Sequence, residues 1–150
     1  MTKEQTISRI KEHLDGKIIQ WHDKSVKRIY VEVSSADVPD VSRLMFRDLG
    51  ARFQIASGID TPSAIEILYH WAFDALGFVV TIETKLNRES PVVESIARIC
   101  PAAEWIEREM WELLGVQFKN HPDLRHLLLM DDWPEGKYPL RRDYIKGKDW

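Results

Sequence analysis

At 150 residues, 44% hydrophobic and 30% charged with a formal net charge of −3, the chain has the size and balance of one ordinary globular domain. Those values exclude fibrous and disordered classes. They also argue against whole-surface nucleic-acid binding, while leaving room for a local basic patch.

The first element is a helix. Thr2 with Gln5 resembles a capping box, Ile7, Ile10 and Leu14 then share one face, and Gly16 supplies the stop. Two strands follow, Lys17–Trp21 and Val26–Val33, with His22-Asp23-Lys24-Ser25 as a polar turn between them. In the second strand Ile29, Val31 and Val33 alternate with Arg28, Tyr30 and Glu32. Ser35 is expected to cap a second helix that takes Pro39 in its first turn. Its buried face would hold Val38, Val41, Leu44, Met45 and Leu49, and Gly50 would end it. Arg52–Ala56 reads as a short strand, and Ile65, Ile67, Tyr69, Trp71 and Phe73 mark a long one with period two. Asp74-Ala75-Leu76-Gly77 turns the chain, and Phe78, Val80, Ile82 and Thr84 answer as the antiparallel partner. This order predicts an α+β fold, a small antiparallel sheet with helices packed on one face.

Ser90-Pro91 is expected to open a short helix that Pro101 ends. It contains the lone Cys100, which can form no intrachain disulfide and cannot by itself ligate an iron–sulfur cluster. A longer helix follows from Ala102 to Leu114, closed by Gly115. Beyond it, His121-Pro122, Trp133-Pro134 and Tyr138-Pro139 punctuate a stretch with little periodicity. The chain thus divides into an α+β domain over 1–120 and an extended tail over 121–150. The N-terminus carries no secretory pattern, and every apolar run falls short of the ~20 residues a membrane span takes. A cytoplasmic location is expected, with any membrane association made through partners.

On the long helix Ala103, Ile106, Met110, Leu113 and Leu114 form the apolar stripe. Glu104, Arg108 and Glu112 lie on another face, so Arg108 can pair with a carboxylate above and below. A solvated face laced with such pairs explains these charges better than a general acid and base, since no histidine or nucleophile is near in sequence. Trp105 and Trp111 lie off the stripe among the charges. Aromatic residues in such company mark protein contact surfaces, and either a partner subunit or the chain's own tail, folded back, would cover them. His121, His126, Asp131 and Asp132 fit no metal-binding spacing, and His121 before Pro122 reads as a loop residue bonded to backbone. Phosphate-binding glycine loops are absent. The basic stretch Lys137 to Lys148 lacks a recognition helix or stacking platform, which favours an acidic protein surface over nucleic acid.

Read as one string, Glu107 to Leu128 is E-R-E-M-W-E-L-L-G-V-Q-F-K-N-H-P-D-L-R-H-L-L. It resembles the signature of the 30 kDa subunit family of respiratory complex I, with Glu107, Arg108, Glu109, Glu112, Leu113, Leu114, His121, Arg125, Leu127 and Leu128 in the family's positions. Trp133-Pro134-Glu135-Gly136-Lys137-Tyr138-Pro139-Leu140-Arg141-Arg142-Asp143-Tyr144 resembles the family's closing motif, with Arg142 where lysine is usual. Its long form looks more like members associated with membrane-bound energy-converting nickel–iron hydrogenases than like complex I itself.

The resemblance implies a subunit without catalytic residues, metal ligands or cofactor of its own. It would sit peripherally on the cytoplasmic side of the membrane. Its partners would be a large subunit of the 49 kDa or nickel–iron type and a small iron–sulfur subunit, which would carry the nickel–iron centre and the iron–sulfur clusters. The implied interface is Trp105, Glu107, Arg108, Glu109, Trp111 and Glu112 on the helix, with His121, Pro122, Arg125, Trp133, Tyr138, Pro139, Leu140, Arg141, Arg142, Asp143 and Tyr144 beyond it. Arg141 and Arg142 would make two-pronged contacts to partner carboxylates, and Pro122, Pro134 and Pro139 would stiffen the tail before binding.

Overall fold

The computed structural model of the chain describes residues 1–144. Helix α1, Lys3–His13, starts on the expected capping box: the Thr2 side chain accepts from the Gln5 N–H, and the Gln5 side chain accepts from the Thr2 N–H. Strand β1, Ile18–Ser25, pairs antiparallel with β2, Arg28–Val33. The expected polar turn over His22–Ser25 is therefore strand, and the hairpin reverses at Val26-Lys27 instead. β1 is a mostly exposed edge with two register shifts, so polar side chains there cost nothing in burial.

A 3-10 turn, Ser35–Asp37, is capped by Ser34, one residue before the expected cap, and leads into α2, Val38–Arg43. A π-helical stretch, Leu44–Asp48, continues it. Val38, Val41, Leu44 and Met45 are buried as the pattern required. Strand β3, Arg52–Asp60, runs longer than expected and pairs antiparallel with β4, Ala64–Phe73, which pairs antiparallel with β5, Phe78–Asn87. The sheet order is β1-β2-β5-β4-β3, with β2 and β5 as its one parallel pair among the described residues.

Period-two burial makes the core. Ile29, Val31, Val33, Ile65, Ile67, Tyr69, Trp71, Val80 and Ile82 turn to one face and cluster with Ile10, Leu14, Val41, Leu44, Met110 and Leu114 from the helices. The fold is the α+β arrangement expected.

The segment after Pro91 departs from expectation. It forms β6, Val92–Glu94, paired parallel with β7, Gln117–Lys119, and then a turn that reaches Cys100. Two adjacent valines favour strand over helix, and a buried carboxylate described below holds the following amides out of a helix. A 3-10 turn, Pro101–Ala103, precedes α3, Glu104–Leu114. This helix rests on β3 so closely that a Cβ on Gly58 would collide with Leu114 Cδ1. After β7 no helix or strand forms among the described residues, and none of the described helices is long and apolar enough to cross a membrane.

Candidate functional site: the clamped tail on helix α3

Helix α3 does not carry its charges in water. Glu107, Arg108 and Glu112 are 0%, 5% and 3% exposed, against the solvated face expected. A buried charge is tolerated only with hydrogen-bond partners of its own, and each of these finds them on a different backbone segment. Glu107 Oε1 accepts from the Ile96 N–H at 2.9 Å and fixes the turn after β6. Arg108 donates to the carbonyls of Arg125 at 3.0 Å and His126 at 2.6 Å. Glu112 Oε1 accepts from the Leu128 N–H at 2.6 Å; its Oε2 accepts from Leu127 at 3.0 Å, Leu129 at 3.3 Å and His126 Nδ1 at 3.0 Å.

The tail therefore runs alongside α3, its carbonyls held by a guanidinium and its next amides by a carboxylate. His121 begins this track. Its Nε2–H donates to the Glu104 carbonyl at 2.9 Å, and its Nδ1 accepts from the Asp123 N–H at 3.0 Å. That is the backbone-bonded loop role its position before Pro122 suggested.

Burial alone would raise the Glu112 carboxyl, but hydrogen bonds from Leu128, Leu127, His126 and Leu129 outweigh it and hold the group below its ordinary range. Burial of Glu107 prevails over its bonds from Ser95, Ile96 and Ala97 and pushes it up to about 7. Two carboxyls little more than a helical turn apart are thus shifted in opposite senses, because one is richly hydrogen-bonded and the other has Oε2 without a partner.

The closing motif is fastened beyond the helix end. Gly115, at φ +78°, lets α3 stop in the left-handed conformation, and a Cβ there would lie 2.7 Å from the Tyr138 ring. The Leu140 N–H bonds to the Leu113 carbonyl at 3.0 Å. Arg141 donates to the carbonyls of Leu114 at 2.5 Å and Arg88 at 3.0 Å. Asp60, at the end of β3, takes Arg88 in a two-pronged contact at 2.8 and 2.9 Å and the Arg142 N–H at 2.8 Å. Sequence reasoning missed Asp60 and Arg88, which lie far from the motif they anchor.

The sequence profile of the family described as "Respiratory-chain NADH dehydrogenase, 30 Kd subunit" matches residues 31–149. The chain belongs to this family. The match extends well upstream of the two motifs that carried the resemblance.

Among relatives of this 30 Kd subunit family, the C subunit of the F(420)H(2) dehydrogenase of Methanosarcina mazei is 43% identical over 90 residues, 59% of this chain and 56% of that protein. The C subunit of the NADH-quinone oxidoreductase of Chelativorans sp. (strain BNC1) is 32% identical over 141 residues, 90% of this chain and 68% of that protein. The chain thus spans little more than half of the first relative and about two thirds of the second. Its fold is that of a chain in the membrane-bound sulfane sulfur reductase, an archaeal respiratory membrane complex, with TM-score 0.83 at 23% identity over 95% of this chain and 85% of that one. A trypsin-resistant fragment of Nqo5 superposes with TM-score 0.65 at 18% identity, covering 83% of this chain and 100% of the fragment.

In this family member the expected interface residues fall into two groups. Glu107, Arg108, Glu112, His121 and Arg141 use their polar groups inside the chain. Trp111 is half-buried with its ring 5.2 Å from that of His126, so the tail covers it. Trp133, Tyr138, Pro139 and Tyr144 are likewise half-buried, and Glu109 is intermediate. Pro122, Arg125, Leu140, Arg142 and Asp143 stay exposed, and Trp105 is 66% exposed. A cleft of about 480 Å³ opens between Trp111, His126, Trp133 and Tyr138. The described residues contain no group of His, Cys, Asp and Glu side chains arranged to hold a metal ion.

The two arginines of the closing motif therefore separate. Arg141→Ala is expected to destabilise the isolated chain by about 1–3 kcal/mol, because it orphans two carbonyls. Arg142→Ala, whose backbone rather than side chain makes the described contact, is expected to change it by less than about 0.5 kcal/mol. Urea denaturation of both variants checks this. Equal losses would mean that the Arg142 side chain is structural too.

Proposed function

We propose that the chain is a non-catalytic docking subunit of a membrane-bound redox complex related to complex I, seated on the large subunit through α3 and the tail over 121–150. The observation that carries this reading is the clamp itself. Two buried charged side chains, Arg108 and Glu112, hold an otherwise irregular segment in one conformation, which removes the ordering cost that association would otherwise meet. Membership of the 30 Kd subunit family supports it, as do relatives named as subunits of respiratory complexes. In this reading the chain holds no cofactor. The nickel–iron centre and the iron–sulfur clusters belong to the large subunit and to a small iron–sulfur subunit, and the chain lies peripherally on the cytoplasmic side, held by those partners.

The long closing motif from Trp133 to Tyr144 supports a finer assignment, an energy-converting nickel–iron hydrogenase coupled to ion translocation. The relatives named as parts of NADH-quinone oxidoreductase and F(420)H(2) dehydrogenase favour a second reading, the C subunit of a donor:quinone-type oxidoreductase. A mild-detergent purification through a tag on this chain, with copurifying proteins and metals identified, tests both. A large subunit recovered with nickel and iron supports the first; iron without nickel alongside quinone-reductase subunits supports the second. Recovery of the chain alone and metal-free, even at low salt, overturns docking itself.

A further inference from the structure

Leu128 and Met130 are 63% and 71% exposed, although the backbone that carries them is among the most firmly held in the tail. A loop with nothing to present can leave its amides to water at no cost, whereas burying a carboxylate beneath them forfeits that carboxylate's hydration. Glu112 is nevertheless buried under the N–H groups of Leu127, Leu128 and Leu129. Arg108 holds the two preceding carbonyls. With the backbone fixed from both sides, Leu127 and Leu129 are half-buried while Leu128 and Met130 face out. Apolar side chains fixed in water contribute nothing to the isolated chain. They contribute when a partner covers them, since their ordering has already been met.

The next residues set the chemistry of what covers them. Asp131 and Asp132 directly follow the apolar tip, and both are exposed. Arg125, six residues before Asp131, is already paired with Asp123 at 2.8 Å. The tip is thus apolar with an anionic margin.

We infer that Leu128 and Met130 anchor the docking face by entering an apolar pocket of a partner subunit whose rim carries lysine or arginine side chains that meet Asp131 and Asp132. This rests on the docking function proposed above and specifies the residues that carry it. Glu112 and Arg108 act as positioning residues, touching the loop backbone and not the partner. Charge selects a partner subunit over a second copy, because a tip-to-tip dimer would bring the same aspartates together.

The test expresses the tagged chain in its native cells with Leu128→Asp and Met130→Asp combined, and quantifies the partner subunits recovered in mild detergent against those recovered by the unaltered chain. Recovery is expected to fall about tenfold or more, while the Tm of the isolated variant stays within about 2 °C. A second variant, Asp131→Lys with Asp132→Lys, is expected to lower recovery most strongly at low salt, where like charges repel across the longest range. A photo-crosslinking residue at position 128 is expected to label a partner segment of apolar residues with lysine or arginine beside them.

If the unaltered chain recovers partners and the double aspartate variant recovers as much, the anchor is overturned and docking stands. If the unaltered chain recovers none, docking itself fails. A crosslink to a second copy of this chain, or a dimer that the variant abolishes, also overturns the anchor, in favour of self-association.

Discussion

Glu112→Gln is expected to loosen the tail and to lower the stability of the isolated chain by about 3–5 kcal/mol, the range for removing one side of a buried, hydrogen-bonded charge. The substitution preserves shape and one acceptor, so the loss is electrostatic. In the native chain Glu112 Oε2 receives His126 Nδ1 and the amides of Leu127 and Leu129, while Oε1 receives Leu128. A glutamine must turn its NH2 group toward one of these sets, setting donor against donor and leaving amides without partners. Thermal denaturation reads the global cost, and amide hydrogen exchange at Leu127, Leu128 and Leu129 reads the local one. Unchanged Tm together with protected amides would show that the loop is held by its flanking contacts and that the carboxylate is incidental.

Acid should reproduce the effect in the unaltered chain. The hydrogen bonds that keep the Glu112 carboxyl below its ordinary value of 4.5 in the folded state are absent when the chain unfolds. A group whose folded value is depressed adds stability above its unfolded value and loses it as pH falls through the folded one. Release of the tail is therefore expected below the ordinary carboxylate range.

What the sequence disclosed follows from which contacts are local. The long strands were legible because Ile65, Ile67, Tyr69, Trp71 and Phe73 alternate over a span longer than chance allows, and all are buried. The apolar stripe of α3 was legible for the same reason at helical period. The charges between the stripe positions were not. Glu112 meets amides 15 to 17 residues further on, and Asp60 meets Arg88 across 28, separations at which no periodicity reports. A carboxylate bonded to distant amides looks in sequence the same as one bonded to water. Trp111 was the local hint, an aromatic too large to leave uncovered and off the stripe. Both covers considered for it were consistent with sequence, and the structure supplies the tail as one of them. The misjudged helix after Ser90 has the same origin: its amides are taken by Glu107, eleven residues beyond Ile96.

Glu107→Gln is expected to have the opposite consequence to Glu112→Gln, and to have it only at higher pH. Burial pushes the Glu107 carboxyl from 4.5 to about 7 in the folded chain, while the unfolded chain keeps the ordinary value. A raised folded value means that the native state binds the proton more tightly. Its stabilising effect is complete below about pH 4.5 and is lost as pH rises through about 7. The rise corresponds to about 3 kcal/mol of stability forfeited by pH 8. Glutamine stays neutral throughout, keeps an oxygen for the Ile96 N–H and places its NH2 group where Oε2 has no partner. Unfolding free energies from urea titration should therefore nearly coincide for variant and unaltered chain near pH 4.5 and diverge by about 3 kcal/mol at pH 8, the variant being the more stable. Curves that run parallel across that range would mean that the Glu107 carboxyl titrates alike in the folded and unfolded chain, and that its burial does not raise it. Divergence as expected would make α3 a helix whose two buried carboxyls limit stability at opposite ends of the pH range, Glu112 releasing the tail in acid and Glu107 loosening the turn after β6 above neutrality.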